Sequence, residues 1–210
     1  MWFSIMQIDK TKRNYAREML RDRGMVRMSE FKEAEISAAT ISRMCKAGEV
    51  IQLARGLYQL PDAPLEAHHS LAVAAKRFPR GVVCLTSALV YHDLTDQLPW
   101  SIWLAIGKND WRPRNGDKTI HFARFTDAFL TEDVETVEIE GVPVKVFGVA
   151  KTIADCFRHR RSIGQTVALE GLQEALRQRK VTPAEIDRSA ARGGVSTVIR
   201  PYLEALTANG

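Results

Sequence analysis

Three observations predict an α+β chain in two parts. The first 60 residues carry three short helical patterns closed by a basic hairpin. Pro61 and Pro64 then interrupt the chain, and strand-like runs follow that give way to a helical C-terminal part. In residues 12–23, Tyr15, Met19 and Leu20 form an apolar stripe among basic residues, and Gly24 stops that helix. A second short helix is expected to open at Ser29 as N-cap and to turn Phe31 and Ala34 inward. A third has Ser37 as its N-cap, Ile41, Met44 and Cys45 as its packing side, and Gly48 as its stop.

The other side of the third helix presents Ala39, Thr40, Ser42, Arg43 and Lys46, small, hydroxyl-bearing or cationic residues with no carboxylate among them. Small residues let backbone approach phosphates, hydroxyls bond phosphates or base edges, and the guanidinium fork of Arg43 matches guanine O6 and N7. Residues 50–54 and 57–60 are two strand-forming runs joined by Arg55-Gly56, a tight turn in which glycine supplies positive φ. Arg55 at the tip is placed to touch the sugar-phosphate backbone. The pattern reads as a winged helix-turn-helix that binds DNA through Ser37, Ala39, Thr40, Ser42, Arg43, Lys46 and Arg55. An interaction module is the bland alternative, since such folds host several functions.

Charge favours DNA. Residues 1–60 hold eleven Lys and Arg against seven Asp and Glu, residues 61–147 nine against twelve, and residues 148–210 ten against six, so an acidic middle separates two basic ends. The expected organisation is a DNA-binding domain at 1–60, a linker at 61–64 and an α+β domain at 65–210. Trp100, Trp103 and Trp111 fall in the latter, whereas Trp2 precedes the helical region. Cys45, Cys84 and Cys156 lack paired metal or disulfide spacing and read as reduced thiols, with Cys156 near Lys151 and Arg158. The first eight residues do not form a signal peptide, Met6 is an alternative start to Met1, and no apolar run nears the roughly 18 residues of a membrane span. A cytoplasmic protein is expected.

In the second part, residues 67–78 form a helix with Leu71, Ala74 and Ala75 inward, and residues 82–85 a buried strand. Thr86 or Ser87 then caps a helix over 87–94. Residues 101–106 read as a central strand, 108–118 as a polar loop and 119–125 as a further strand. Residues 134–139 and 142–147 alternate around Glu140-Gly141 as a tight hairpin. Helices over 149–157, 163–179, 183–191 and 195–206 cover the sheet, and Pro183 after Thr182 marks a first helical turn.

Chemistry-bearing constellations are sparse. Asp133, Glu135, Glu138 and Glu140 alternate along one strand and imitate the acids of a metal-dependent nuclease, but Lys145 lies beyond the turn, and a solvated edge-strand face is the simpler reading. The five histidines show no metal-binding spacing, and Gly193-Gly194 lacks the lysine of a phosphate loop. No catalytic residue, metal ligand or cofactor is expected. Arg158, Arg160 and Arg161 flank His159 as a second basic patch: a helix C-terminus accounts for one or two cations, and the remainder fits nucleic acid or an acidic partner.

Several segments together resemble the AbiEi antitoxin family, the transcriptional-repressor half of AbiE-type, or type IV, toxin-antitoxin and phage-defence systems. They are Ile36-Ser37 leading to Arg43 and Gly48, Leu53-Ala54-Arg55-Gly56-Leu57-Tyr58, Leu85-Thr86-Ser87-Ala88-Leu89, Tyr91-His92-Asp93-Leu94, and the run from Val149 to Phe157. Lys151 stands where the family has arginine. The resemblance implies a winged-helix repressor acting at inverted repeats in its own promoter, with DNA contacts at Thr40, Arg43, Lys46 and Arg55. It also implies a C-terminal domain that counteracts a nucleotidyltransferase-like toxin, and no catalysis. A homodimer fits such repeats. Two other classes stay open: a metal-dependent nuclease targeted by the winged helix, and a non-catalytic interaction adaptor.

Overall fold

Helix α1 (Trp2–Arg23) is followed by a strand too short to leave a periodic signature, β1 (Met25–Arg27), and then by α2 (Met28–Glu33) and α3 (Ala38–Lys46). The hairpin β2 (Ile51–Ala54) and β3 (Leu57–Gln59) comes next, and α4 (His69–Arg77) after it. The computed structural model describes residues 2–97, 99–110 and 119–208, with side chains of α1 from Thr11 onward. The Trp2 side chain, the choice between Met1 and Met6, Trp111 and residues 111–118 of the expected polar loop lie outside them. Residues up to Pro79, together with Glu138–Val144, form one compact unit, and Arg80–Val137 with Lys145–Gly210 form a second.

In the first unit β3 is the middle strand, antiparallel to β1 through Val26 opposite Tyr58 and to β2 through Gln52 opposite Tyr58. Ala16, Leu20, Phe31, Ile36, Ile41 and Met44 are buried between helices and sheet. Two expectations are corrected. Tyr15 is 46 % exposed, because the stripe of α1 centres on Ala16 and Leu20, one helical turn apart, and leaves Tyr15 at its margin. Ser29 is not an N-cap: Arg27 holds that position, and its backbone N–H donates to Glu30 Oε2 at 2.8 Å. Burial opposes ionisation of Glu30, yet the Arg27 N–H and the nearby Lys76 and Arg23 outweigh it and hold the carboxyl below its ordinary range.

The second unit holds β4 (Val82–Val83), α5 (Leu85–Tyr91), β5 (Ile102–Gly107), β6 (Ile120–Phe125), α6 (Asp127–Thr131) and the parts of β7 (Val134–Ile139) and β8 (Val142–Phe147) that lie outside Glu138–Val144. Helices α7 (Val149–Arg158), α8 (Arg160–Ile163), α9 (Gln165–Arg177), α10 (Pro183–Gly193) and α11 (Ser196–Ala208) complete it. The five strands run in the order β6-β5-β4-β8-β7, with β4 antiparallel to β5 but parallel to β8, and β5 parallel to β6. The sheet is therefore mixed, and the chain is α+β as expected.

The hairpin matches its sequence pattern, and Glu140 and Gly141 both have positive φ, 52° and 72°, the geometry that suits the strand twist. The 82–85 run behaves differently: the strand ends at Val83, Cys84 is the N-cap of α5, and Ser87 lies inside the helix with its Oγ accepting the Trp103 N–H at 2.9 Å. Apolar character alone does not separate a buried strand from a buried helix turn. β5 has a neighbour on each side, as expected of an interior strand, and the two-residue β4 is the middle one of the five. The expected 163–179 helix breaks at Gly164, whose φ is 95°, into α8 and α9. Thr182 caps α10 through the Glu185 N–H, with Pro183 in the first turn.

Helix α7 is buried from Lys151 to Phe157. Lys151 Nζ lies 2.9 Å from Asp155 Oδ2, one turn along the helix, with both side chains at most 4 % exposed. It also sits 4.3 Å from the ring centre of Phe147 and 5.2 Å from those of Phe125 and Phe129. Burial lifts the Asp155 carboxyl above its ordinary range, although Lys151, then His159 and Arg158, draw it back. Burial likewise raises both the Cys84 and the Cys156 thiol well above the ordinary value, so neither is an activated thiolate.

Candidate nucleic-acid interface

Helix α3 starts where Ser37 turns its side chain back: Oγ accepts the Thr40 N–H at 3.1 Å. Of the groove-facing residues expected from sequence, Ser37, Ala39, Ser42, Arg43 and Lys46 are exposed. Thr40 is not. It is 5 % exposed, and its hydroxyl lies 3.0 Å from the Ser37 Oγ inside the cap. Arg43 Nε donates to the Ala39 carbonyl one turn earlier at 3.3 Å, which lays the guanidinium along the exposed side of α3. Replacing Ser37 with alanine removes the cap and should cost about 0.5–2 kcal/mol of unfolding free energy, read as a lower urea midpoint at unchanged slope.

Arg55 is exposed in the turn of the hairpin, followed by Gly56 at φ 72°. The Gly56 carbonyl accepts the Met28 N–H at 2.8 Å, which ties the hairpin turn to the first residue of α2. The Phe31 and Tyr58 ring centres, 6.1 Å apart, join α2 to β3. The turn and α3 are thus held by one small core rather than by a free loop.

Three cations of α1, Lys12, Arg13 and Arg17, have carboxylate partners. Arg13 and Arg17 of α1 reach Glu49 at 2.8 and 2.9 Å, just past the end of α3. Lys12 pairs with Glu35 at 3.3 Å. These pairs hold α1 onto the chain on either side of α3, whose own Arg43 and Lys46 are exposed, as is Arg55 in the hairpin turn. Separations of 23 to 36 residues carry no periodic signal, so sequence reading missed them.

The second basic patch lies at the end of α7 and in α8. Arg158 is exposed, with its guanidinium 5.3 Å from the Phe129 ring centre. Arg160 is half-buried and donates to the Phe157 carbonyl at 2.8 Å, and Arg161 is exposed. His159 is half-buried, and burial holds its imidazole below the ordinary value. One cation of the run is therefore spent on the α7 C-terminus, as the dipole argument requires.

The strand acids do not converge. Asp133 turns toward the start of α7, where its Oδ2 accepts the Lys151 N–H at 3.4 Å, while Glu135 and Glu138 are exposed. Glu140 is bound by the Glu66 N–H and by His69 Nδ1, each at 2.8 Å. Among the described residues no group of three His, Cys, Asp or Glu is placed to hold a metal ion. None of the described helices is long and apolar enough to cross a membrane.

Small helices and a basic hairpin joined in this way form a module of the kind used by transcriptional regulators. Residues 14–61 match a family model described as "Transcriptional regulator, AbiEi antitoxin", so the resemblance to the AbiEi family holds over that segment. The crystal structure of the RV2827C protein from Mycobacterium tuberculosis is similar in fold, with a TM-score of 0.56 at 13 % sequence identity over 88 % of this chain and 75 % of that one. At that identity the likeness concerns the fold alone. No curated protein matches.

Proposed function

We propose that the chain is a DNA-binding transcriptional repressor and antitoxin of an AbiE-like type IV system, with a winged helix-turn-helix at 1–60 as its DNA-binding module. The match over 14–61 supports the regulator class. The observation that carries DNA contact is the exposed, carboxylate-free side of α3, where Ser42, Arg43 and Lys46 lie in the same small module as Arg55. In this reading α3 enters the major groove, Arg43 reads a base edge, and Lys46 and Arg55 contact phosphates.

The ligand is the double-stranded promoter of its own operon, at inverted repeats. If two copies bind as a two-fold pair, half-sites lie roughly 34 to 36 Å apart or a multiple of that. The connection at 61–64 leads to the 65–210 part, which counteracts a nucleotidyltransferase-like toxin and carries Arg158 and Arg161 as exposed cations. Catalysis, a metal and a cofactor form no part of this reading, which places the protein in the cytoplasm.

The test is a fluorescence titration of the purified protein against its upstream region and a scrambled duplex at two salt concentrations. Preferential, salt-weakened binding to the upstream duplex is expected. Arg43→Ala should cost about 1 to 3 kcal/mol against the upstream duplex and little against the scrambled one. Arg55→Ala should weaken both alike and reduce the salt slope by about 1. Equal affinities of wild type and both variants for the upstream duplex would remove the proposed surface.

A further inference from the structure

Glu49 stands at the joint of the candidate DNA face. It follows the last turn of α3, which carries Arg43 and Lys46, and it stands two residues before β2, which leads to Arg55. Its backbone N–H donates to the Met44 carbonyl at 3.0 Å, and its neighbour Val50 is buried in the core of the first unit. We propose that Glu49 is a positioning residue for operator recognition: its carboxylate fixes the end of α3 and the base of the hairpin against α1, so that Arg43 meets a base edge while Lys46 and Arg55 meet phosphates. The inference rests on the repressor reading and adds to it a residue that acts without touching DNA.

The carboxylate is shared between two cations. Its Oε1 accepts from Arg13 Nη2 at 2.8 Å, and its Oε2 lies 2.9 Å from Arg17 Nη2. Arg13 and Arg17 are one turn apart on α1, where like charges repel unless an anion stands between them. Arg17 Nη1 also donates to Asn14 Oδ1 at 3.1 Å, which holds that guanidinium in place. The Glu49 side chain is 23 % exposed, so water and salt screen these pairs less than they screen ions on an open surface.

Packing alone does not set this geometry. Ala16 and Leu20 of α1 share a core with Ile41 and Met44 of α3, but apolar contact is non-directional and brings helices together without fixing their rotation. Two charged donors aimed at one carboxylate are directional. On the other side of α3, Lys12 Nζ lies 3.3 Å from Glu35 Oε2, and there the Glu35 side chain is 86 % exposed. Such a pair holds little. Glu35 therefore provides the control, a carboxylate of the same unit and the same charge that lacks the clamp.

The test is the titration of the full chain against the upstream and the scrambled duplex, read as the ratio of the two affinities. A variant that merely folds less well loses both affinities alike and leaves the ratio unchanged. Glu49→Gln keeps the shape and removes the charge, and it should lower the ratio at least about fivefold, the low end of what loss of a bidentate base contact costs. Glu35→Gln makes the same change of charge and should keep the wild-type ratio. Arg17→Gln cuts the clamp from the α1 side and should lower the ratio as well. The double variant Glu49→Gln with Arg17→Gln should fall no further than Glu49→Gln, because the two residues act as one unit.

A wild-type ratio in Glu49→Gln, an equal fall in Glu35→Gln, or losses that add in the double variant would each overturn the inference and leave the repressor reading standing. Where Glu49→Gln does not fold, Arg17→Gln carries the test, and a wild-type ratio there overturns the inference. A wild-type protein with no preference for the upstream duplex would remove the repressor reading and this inference with it.

Discussion

Lys151→Ala is expected to destabilise the chain by about 3 to 5 kcal/mol, because it removes one partner of a buried ion pair and leaves the other with no counter-charge. Asp155 is 2 % exposed, and the ammonium that faces it is enclosed by the rings of Phe125, Phe129 and Phe147. Truncation also loses the contacts of the ammonium with those three faces. Equilibrium urea denaturation reads the loss as a lower midpoint. Replacing both partners, Lys151→Met with Asp155→Leu, should recover most of it, since an apolar pair removes both desolvation costs. A double variant as unstable as Lys151→Ala would show that the pair itself, and not the stranded charge, carries the stability.

The pH dependence of the single variant has a definite sign. Burial already raises the Asp155 carboxyl, and Lys151 opposes that rise, so its removal lifts the folded-state value further. Native chain then holds a proton that unfolded chain has released, and stability falls as pH rises through the folded-state value. The deficit of Lys151→Ala relative to wild type should therefore shrink on acidification through that range. A deficit that stayed constant would mean that Asp155 does not titrate in the variant.

Gly24→Ala should cost about 2 to 4 kcal/mol. Gly24 has φ 65°, a left-handed conformation that charges a side-chain-bearing residue roughly 1 to 2 kcal/mol. A Cβ there would also lie 2.2 Å from the Glu140 carbonyl oxygen, and backbone cannot swing aside as a flexible side chain can. Gly48→Ala is the control: its φ is 71°, yet a Cβ would meet nothing within 4 Å. The two variants share the backbone strain, so the difference in their urea midpoints measures the contact alone. Equal losses would show that the Glu140 turn yields to the added methyl.

Local signals were read well where a few neighbouring residues settle the geometry. Ser37 as a cap, the Arg55-Gly56 turn, the 134–147 hairpin and the Thr182-Pro183 helix start each depend on contacts within four residues. The reading failed where burial on all sides erases periodicity, as from Val82 to Ser87, and where an element is as short as β1. The segments Leu85–Leu89, Tyr91–Leu94 and Val149–Phe157 are tied into the packing of the second unit: Ser87 Oγ accepts the Trp103 N–H, His92 Nε2 lies 2.8 Å from the Phe147 carbonyl, and α7 is buried from Lys151 to Phe157.

For the candidate interface, sequence by itself determined the residue types on α3, the basic hairpin tip and the charge distribution, because composition and helical spacing are local properties. Tertiary structure decided which of those groups are available. It turned Thr40 into its cap, paired Arg13 and Arg17 with the one carboxylate of Glu49, and brought Gln59 and Glu140 together from 81 residues apart. Such pairings follow from how helices and strands pack. No periodicity in the chain encodes them, since the partner of a charge or a buried amide is chosen by the fold and not by its neighbours in sequence.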